Sequence, residues 1–237
     1  MHRSGTSLVA KIFFEAGANM GGAGTFYKTD RWNPEGYYEQ SDLRFLNIDL
    51  LHGPWGRWAY FKLPGQALIL KRAARRRKDL EIMAQKYAAM LVKDPRFCLT
   101  LPAWLEHGAK VTDLLICLRE PVQVARSLQI RNKIPLSLGL KIWKVHFKRL
   151  MEILAENKDI RARFIRYDYL MDPVKRLQEL QNAFCAMGFA HSPEEIQKLS
   201  ASCIKDGLYH HQNADYKYAV DVRELWEELK RRHALMA

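Results

Sequence analysis

The segment that most constrains the fold is Asp113–Leu118, Asp-Leu-Leu-Ile-Cys-Leu. After its first residue it is wholly apolar, of strand length, and shows no alternation with polar residues. A strand with one wet face alternates, so this run is expected to be buried on both faces, which is the habit of a parallel sheet covered by helices on either side. Arg119-Glu120-Pro121 ends it, and residues 122–130 read as the helix that follows. Residues 163–167 (Arg-Phe-Ile-Arg-Tyr) read as a second short strand, and 91–93 as another, entering the turn Asp94-Pro95.

Helical patterns surround these strands. Leu8, Val9, Ile12, Phe13 and Ala16 mark one face of a helix that Gly17 is suited to end. Residues 19–38, rich in Gly, Asn and Tyr, read as a loop. Helices are expected over 39–52, with Leu43, Leu46, Leu50 and Leu51 inward, over 65–89, over 137–157, from Pro173 to about Met187, and over 221–235. Ser192-Pro193-Glu194-Glu195 is a capping box with Pro at the first helical position, so another helix starts there. Strands alternating with helices make an α/β domain, and residues 1–237 read as one domain.

No stretch approaches the roughly 20 apolar residues of a membrane span, and residues 2–7 are polar where a signal peptide would be apolar. Cys98, Cys117, Cys185 and Cys203 show no CxxC spacing, which argues against a zinc site or a disulfide scaffold and fits a reducing, cytoplasmic compartment. The 38 Lys and Arg against 26 Asp and Glu give a net charge of +12 and point to an anionic partner. Nucleic acid, a phosphate-bearing cofactor, an anionic glycan and a membrane surface all meet that description. The basic run at 71–78 could bind nucleic acid or an anionic glycan, or be a solvated helix face.

His2-Arg3-Ser4-Gly5-Thr6-Ser7 stands directly before the first helix. Glycine lets a backbone curl close to an anion, helix-terminal amides point at it, and Arg, Ser and Thr add donors. A Walker A loop is excluded, because Thr6 holds the place where that pattern requires Lys. A helix cap is the plainer reading of the same residues. A second segment, Leu118-Arg119-Glu120-Pro121 with Ala125-Arg126-Ser127-Leu128, places Ser127 about two turns beyond Arg119, so that strand end and helix can converge on one anion.

Together these two segments resemble the 5′-phosphosulfate loop and the 3′-phosphate site of sulfotransferases that use 3′-phosphoadenosine 5′-phosphosulfate (PAPS), in particular the bacterial carbohydrate type. The resemblance implies a P-loop-like three-layer sandwich, and hence that the strand normally preceding the loop is missing here. A start upstream, or a truncated relative with an impaired site, are the two expectations that follow. It implies PAPS as co-substrate without a metal, and an acceptor hydroxyl on a carbohydrate or glycolipid. It assigns His2, Arg3, Ser4, Gly5, Thr6, Ser7, Arg119 and Ser127 to the nucleotide. Lys93, in Leu91-Val92-Lys93-Asp94-Pro95-Arg96, matches a strand-end Lys at the sulfuryl group, and Arg3 takes the place of a loop Lys at the bridging oxygen. Pro95 stands where the small-molecule branch has its basic His, so the base is expected elsewhere: Glu39 first, Asp94 in reserve, unless Asp94 is buried against Arg96 or Lys93. Tyr209-His210-His211 falls where the family's C-terminal segment can cover the nucleotide. A non-catalytic nucleotide-binding relative and a basic nucleic-acid-binding protein remain the rival readings.

Overall fold

The computed structural model describes residues 1–53, 63–204 and 216–235. Its helices are α1 (Thr6–Glu15), α2 (Ser41–His52), α3 (Gln66–Arg75), α4 (Arg77–Lys86), α5 (Phe97–Glu106), α6 (Pro121–Asn132), α7 (Leu136–Glu156), α8 (Tyr167–Met171), α9 (Arg176–Ala186), α10 (Pro193–Cys203) and α11 (Val220–Ala234). Between α5 and α6 runs β1 (Asp113–Leu118), and between α7 and α8 runs β2 (Arg161–Arg166). The chain is α/β, mostly helical, with a parallel sheet of these two strands.

The β1–β2 pairing runs in register from Asp113 opposite Arg161 to Leu118 opposite Arg166. Parallel neighbours need a long crossover, and α6 with α7 supplies it. Side chains alternate across the sheet. Ile116, Leu118 and Phe164 join a core with Leu43, Leu99, Trp104, Trp143 and Trp226, whereas Cys117 and Ile165 join a second with Val9, Phe13, Phe184 and Ile196. The apolar, non-alternating sequence of β1 therefore has its expected cause: both faces are covered. Trp143 and Trp226 meet edge to face at 6.2 Å, as core residues. The capping box forms, with Ser192 Oγ accepting from the Glu195 amide at 3.2 Å and Glu195 Oε2 accepting from the Ser192 amide at 2.8 Å.

Several elements differ from the sequence-based expectation. The helix expected over 65–89 is two, broken at Arg76 (φ −107°, ψ 18°). Both halves bury residues, Ile69 and Ala73 from α3, Leu80 and Ala84 from α4. Residues 91–93 join no sheet. Two helices were not anticipated: α5, which carries Pro102 in its interior, and the single turn of α8. Among the described residues no helix is long and apolar enough to cross a membrane.

Candidate functional site

The loop before α1 is shaped by its backbone. Arg3 (φ 66°) and Gly5 (φ 89°) are left-handed while Ser4 between them is not, an alternation that turns successive amides toward one side and makes an anion-binding concavity. Gly5 is obligatory on two counts. Its φ is one that L residues rarely adopt, and a Cβ there would lie 2.4 Å from Cδ2 of Tyr167, whose ring forms the floor of the loop. Gly5 is the N-cap of α1, and no side chain caps that helix, which sets aside the simple capping reading of Ser4, Thr6 and Ser7. Ser4 is fully buried, and its Oγ has no hydrogen-bond partner. A buried hydroxyl without a partner is costly, and such atoms mark places where a further group fits.

On one flank of the loop, residues 2–7 meet the segment that runs from Arg119 into α6. Arg3 Nε donates to Ser127 Oγ at 2.7 Å, and Arg119 donates to the Arg3 carbonyl at 3.3 Å. Arg119 is itself held by Gln123 Oε1 at 3.1 Å and lies 4.3 Å over the Tyr167 ring. Arg131, one helical turn beyond Ser127, donates to Tyr37 Oη at 3.0 Å, and Tyr37 in turn donates to Asp30 at 2.8 Å. Burial, with Arg131 and then Arg119 nearby, holds the Arg3 guanidinium below its ordinary value. Burial and the Asp30 hydrogen bond push the Tyr37 phenol up to about 12. The cluster is thus cationic and partly desolvated, the condition in which an anion is bound most strongly.

The other flank is an ion-pair network. Lys93 Nζ donates to Glu39 Oε1 at 2.8 Å, to the Tyr37 carbonyl at 2.8 Å and to Ser7 Oγ at 3.2 Å. Glu39 Oε2 accepts from Arg96 at 3.2 Å and pairs with Arg44 at 3.3 Å. Burial pushes the Glu39 carboxyl up, but Lys93 and Arg96 outweigh it and the net shift is downward. Glu39, 2% exposed, is therefore an ionised anchor among three cations. Asp94 accepts from the Arg96 amide and guanidinium, both at 2.8 Å, and from Asn47 Nδ2 at 3.0 Å. This is the buried pairing with Arg96 that makes Asp94 a structural carboxylate; burial pushes its pKa up.

The structure thus gathers Arg3, Ser4, Gly5, Arg119 and Ser127 on one side and Ser7, Lys93 and Glu39 on the other. His2 departs from both. It faces a small cavity beside Arg96, His52 and His146, and burial, then Arg96, lowers its pKa well below the ordinary value. Sequence reasoning missed Arg131 and Tyr167. The four-residue step from Ser127 was a usable signal for the first, whereas nothing local marks Tyr167 as the floor. In the basic run, Arg72 donates to the Leu50 and Leu51 carbonyls, Arg76 pairs with Asp49 and Asp79, and Arg77 pairs with Glu81. Tyr209, His210 and His211 lie outside the described residues. Among the described residues no group of three His, Cys, Asp or Glu side chains is placed to hold a metal. Compared with protein-family models, with curated proteins and with solved structures, the chain matches none.

Proposed function

We propose that this chain is a PAPS-dependent sulfotransferase of P-loop-like three-layer architecture, acting on a hydroxyl of a carbohydrate or glycolipid. The observation that carries the reading is the convergence of Arg3, Arg119 and Ser127 beside the N-terminus of α1, which no side chain caps. Two phosphate-type segments 116 residues apart in sequence, Arg3 and Arg119, share one hydrogen bond in space. The donor set suits a nucleotide with phosphates at two positions: loop amides for one, Arg119 and Ser127 for the other.

In this reading PAPS supplies the activated sulfuryl group. The residues of this chain position it and meet the charge that develops on the leaving phosphate. Arg3 and the α1 amides take that charge, Lys93 stands beside Ser7 toward the sulfuryl end, and Glu39 is the candidate to receive the acceptor's proton. Glu39 bears on a second reading, a nucleotide-binding relative without transfer activity, because three cations already hold its carboxylate.

Calorimetry with 3′-phosphoadenosine 5′-phosphate tests the shared part of both readings. Arg119→Ala removes a charge-assisted contact of roughly 1.5–3 kcal/mol, so affinity is expected to fall about ten- to hundredfold. Unchanged affinity would overturn the nucleotide assignment. Transfer of radiolabelled sulfate to glycan acceptors by the unaltered chain then separates enzyme from binder.

A further inference from the structure

Behind Arg119 runs a chain of polar side chains that reaches the far end of the sequence. Arg119 Nε donates to Gln123 Oε1 at 3.1 Å. Gln123 Nε2 donates in turn to Glu120 Oε2 at 3.2 Å, and the other oxygen of Glu120 accepts from Tyr218 Oη at 2.9 Å. The order of groups follows from their chemistry. A guanidinium only donates and a carboxylate only accepts, so the residue between them needs one function of each kind, which a primary amide has. Gln123 is buried, so both ends of its amide must be met within the protein.

The neutral link matters for the charge. A carboxylate set directly on the Arg119 guanidinium would neutralise it before any anion arrived. Held at Nε by an amide oxygen, the guanidinium is oriented and keeps its charge for a ligand. Its plane is fixed from two further sides, by the Arg3 carbonyl at 3.3 Å and by the Tyr167 ring at 4.3 Å.

The far end of the chain is anchored too. Tyr218 stands two residues before α11, and its ring packs against the larger core. Val222, Trp226 and Leu229 seat α11 in that core, and Asp221 pairs with Lys144 of α7. Tyr218 Oη also accepts from the Val122 amide at 3.4 Å, in the first turn of α6, where amides have no partner within the helix. One phenol therefore touches both Glu120, which leads to Arg119, and the start of the helix that carries Ser127. Burial, then the Glu120 carboxylate, push its pKa up, so it stays protonated and donating at neutral pH.

We infer that Tyr218, Glu120 and Gln123 are positioning residues: they set the direction of Arg119 and so the preference for a nucleotide phosphorylated at its 3′ position. The inference rests on the nucleotide reading above and adds to it the residues that decide this specificity.

Calorimetry compares 3′-phosphoadenosine 5′-phosphate with adenosine 5′-phosphate, which lacks only the 3′-phosphate, on the unaltered chain, Tyr218→Phe and Gln123→Met. The first variant keeps the ring and removes one oxygen. The second keeps the length and removes both the acceptor for Arg119 and the donor to Glu120. The unaltered chain is expected to prefer the 3′-phosphorylated nucleotide. Tyr218→Phe is expected to weaken its binding about three- to tenfold and Gln123→Met about tenfold or more, each with affinity for adenosine 5′-phosphate unchanged. Loss shared equally by both nucleotides would make the three residues merely structural and overturn the inference. Full preference retained in the variants overturns it as well, and leaves the nucleotide reading intact. Should one variant fail to fold, the other decides. An unaltered chain that shows no preference overturns the nucleotide reading itself, and this inference with it.

Discussion

Glu39 shows how a side chain can be central to a site and still be spoken for. Its two oxygens serve Lys93, Arg96 and Arg44, and it is almost fully buried. Glu39→Gln keeps the shape and removes the charge, taking from Lys93 and Arg44 the carboxylate they share and leaving Arg96 paired with Asp94 alone. Breaking a buried pair in this way costs about 3 kcal/mol or more, so urea unfolding of this variant is expected to show that loss. Sulfate transfer separates the roles: a fall in turnover with nucleotide affinity intact marks a base, whereas full activity in a folded variant moves the base elsewhere. That Arg119 and Ser127 stand near one another was legible beforehand, because a strand end and a helix face two turns on have fixed geometry; that Arg3 bonds to both of their segments was not. The burial of Asp94 and the turning of His2 toward the small cavity beside Arg96 and His146 were not legible either, because both are decided by Arg96, Asn47 and His146, which come from other parts of the chain.

Elements were readable wherever one helix or strand carried its own periodicity. That holds for α1, α2, α6, α7, α10, β1 and β2. The failures have a common physical source, namely competition between local pattern and tertiary packing. The apolar positions of α3 and α4 continue one another across Arg76, so their periodicity carries no mark of the break there, and 91–93 needs a pairing partner before it is a strand. Gly139 in α7 offers a test at this scale. A Cβ there would sit 2.9 Å from both Cα and Cβ of Ala125 in α6, so the two helices touch only because the residue is glycine. Gly139→Val forces α6 outward, and overpacking of this kind costs about 1–3 kcal/mol. Because α6 carries Ser127 and Arg131, weaker binding of 3′-phosphoadenosine 5′-phosphate is expected together with the lower urea midpoint. An unchanged midpoint would show that α6 and α7 can separate without cost.

The molecule as a whole carries a net charge of +12, and its folded state keeps some of its proton-binding groups from charging. Burial holds His146 neutral, with a pKa lowered to about 3, while its Nδ1–H donates to the Ile142 carbonyl at 2.8 Å. Burial and Arg96 lower His2 as well. An unfolded histidine takes up its proton near pH 6.5, so below that the unfolded state binds more protons than the folded one, and stability falls with pH. Each such histidine contributes a slope of about 1.4 kcal/mol per pH unit once its unfolded form is protonated. For His146 the loss begins near pH 6.5 and ends near 3, at its folded value. Glu39, whose folded pKa is depressed, contributes stability that is constant above the ordinary carboxylate range and is lost only below it. Asp94, shifted upward, acts in the opposite sense and takes up its proton above the ordinary carboxylate range. Urea unfolding at pH 7.5, 6.0 and 5.0 therefore leaves Glu39 ionised throughout, and comparison with a His146 variant separates the histidine from Asp94. Stability is expected to decline steadily over that interval, and His146→Phe, where it folds, to decline less steeply than the unaltered chain. An identical slope for His146→Phe and the unaltered chain would mean that His146 protonates as readily folded as unfolded, and so that water reaches the pocket between the 2–7 loop and α7.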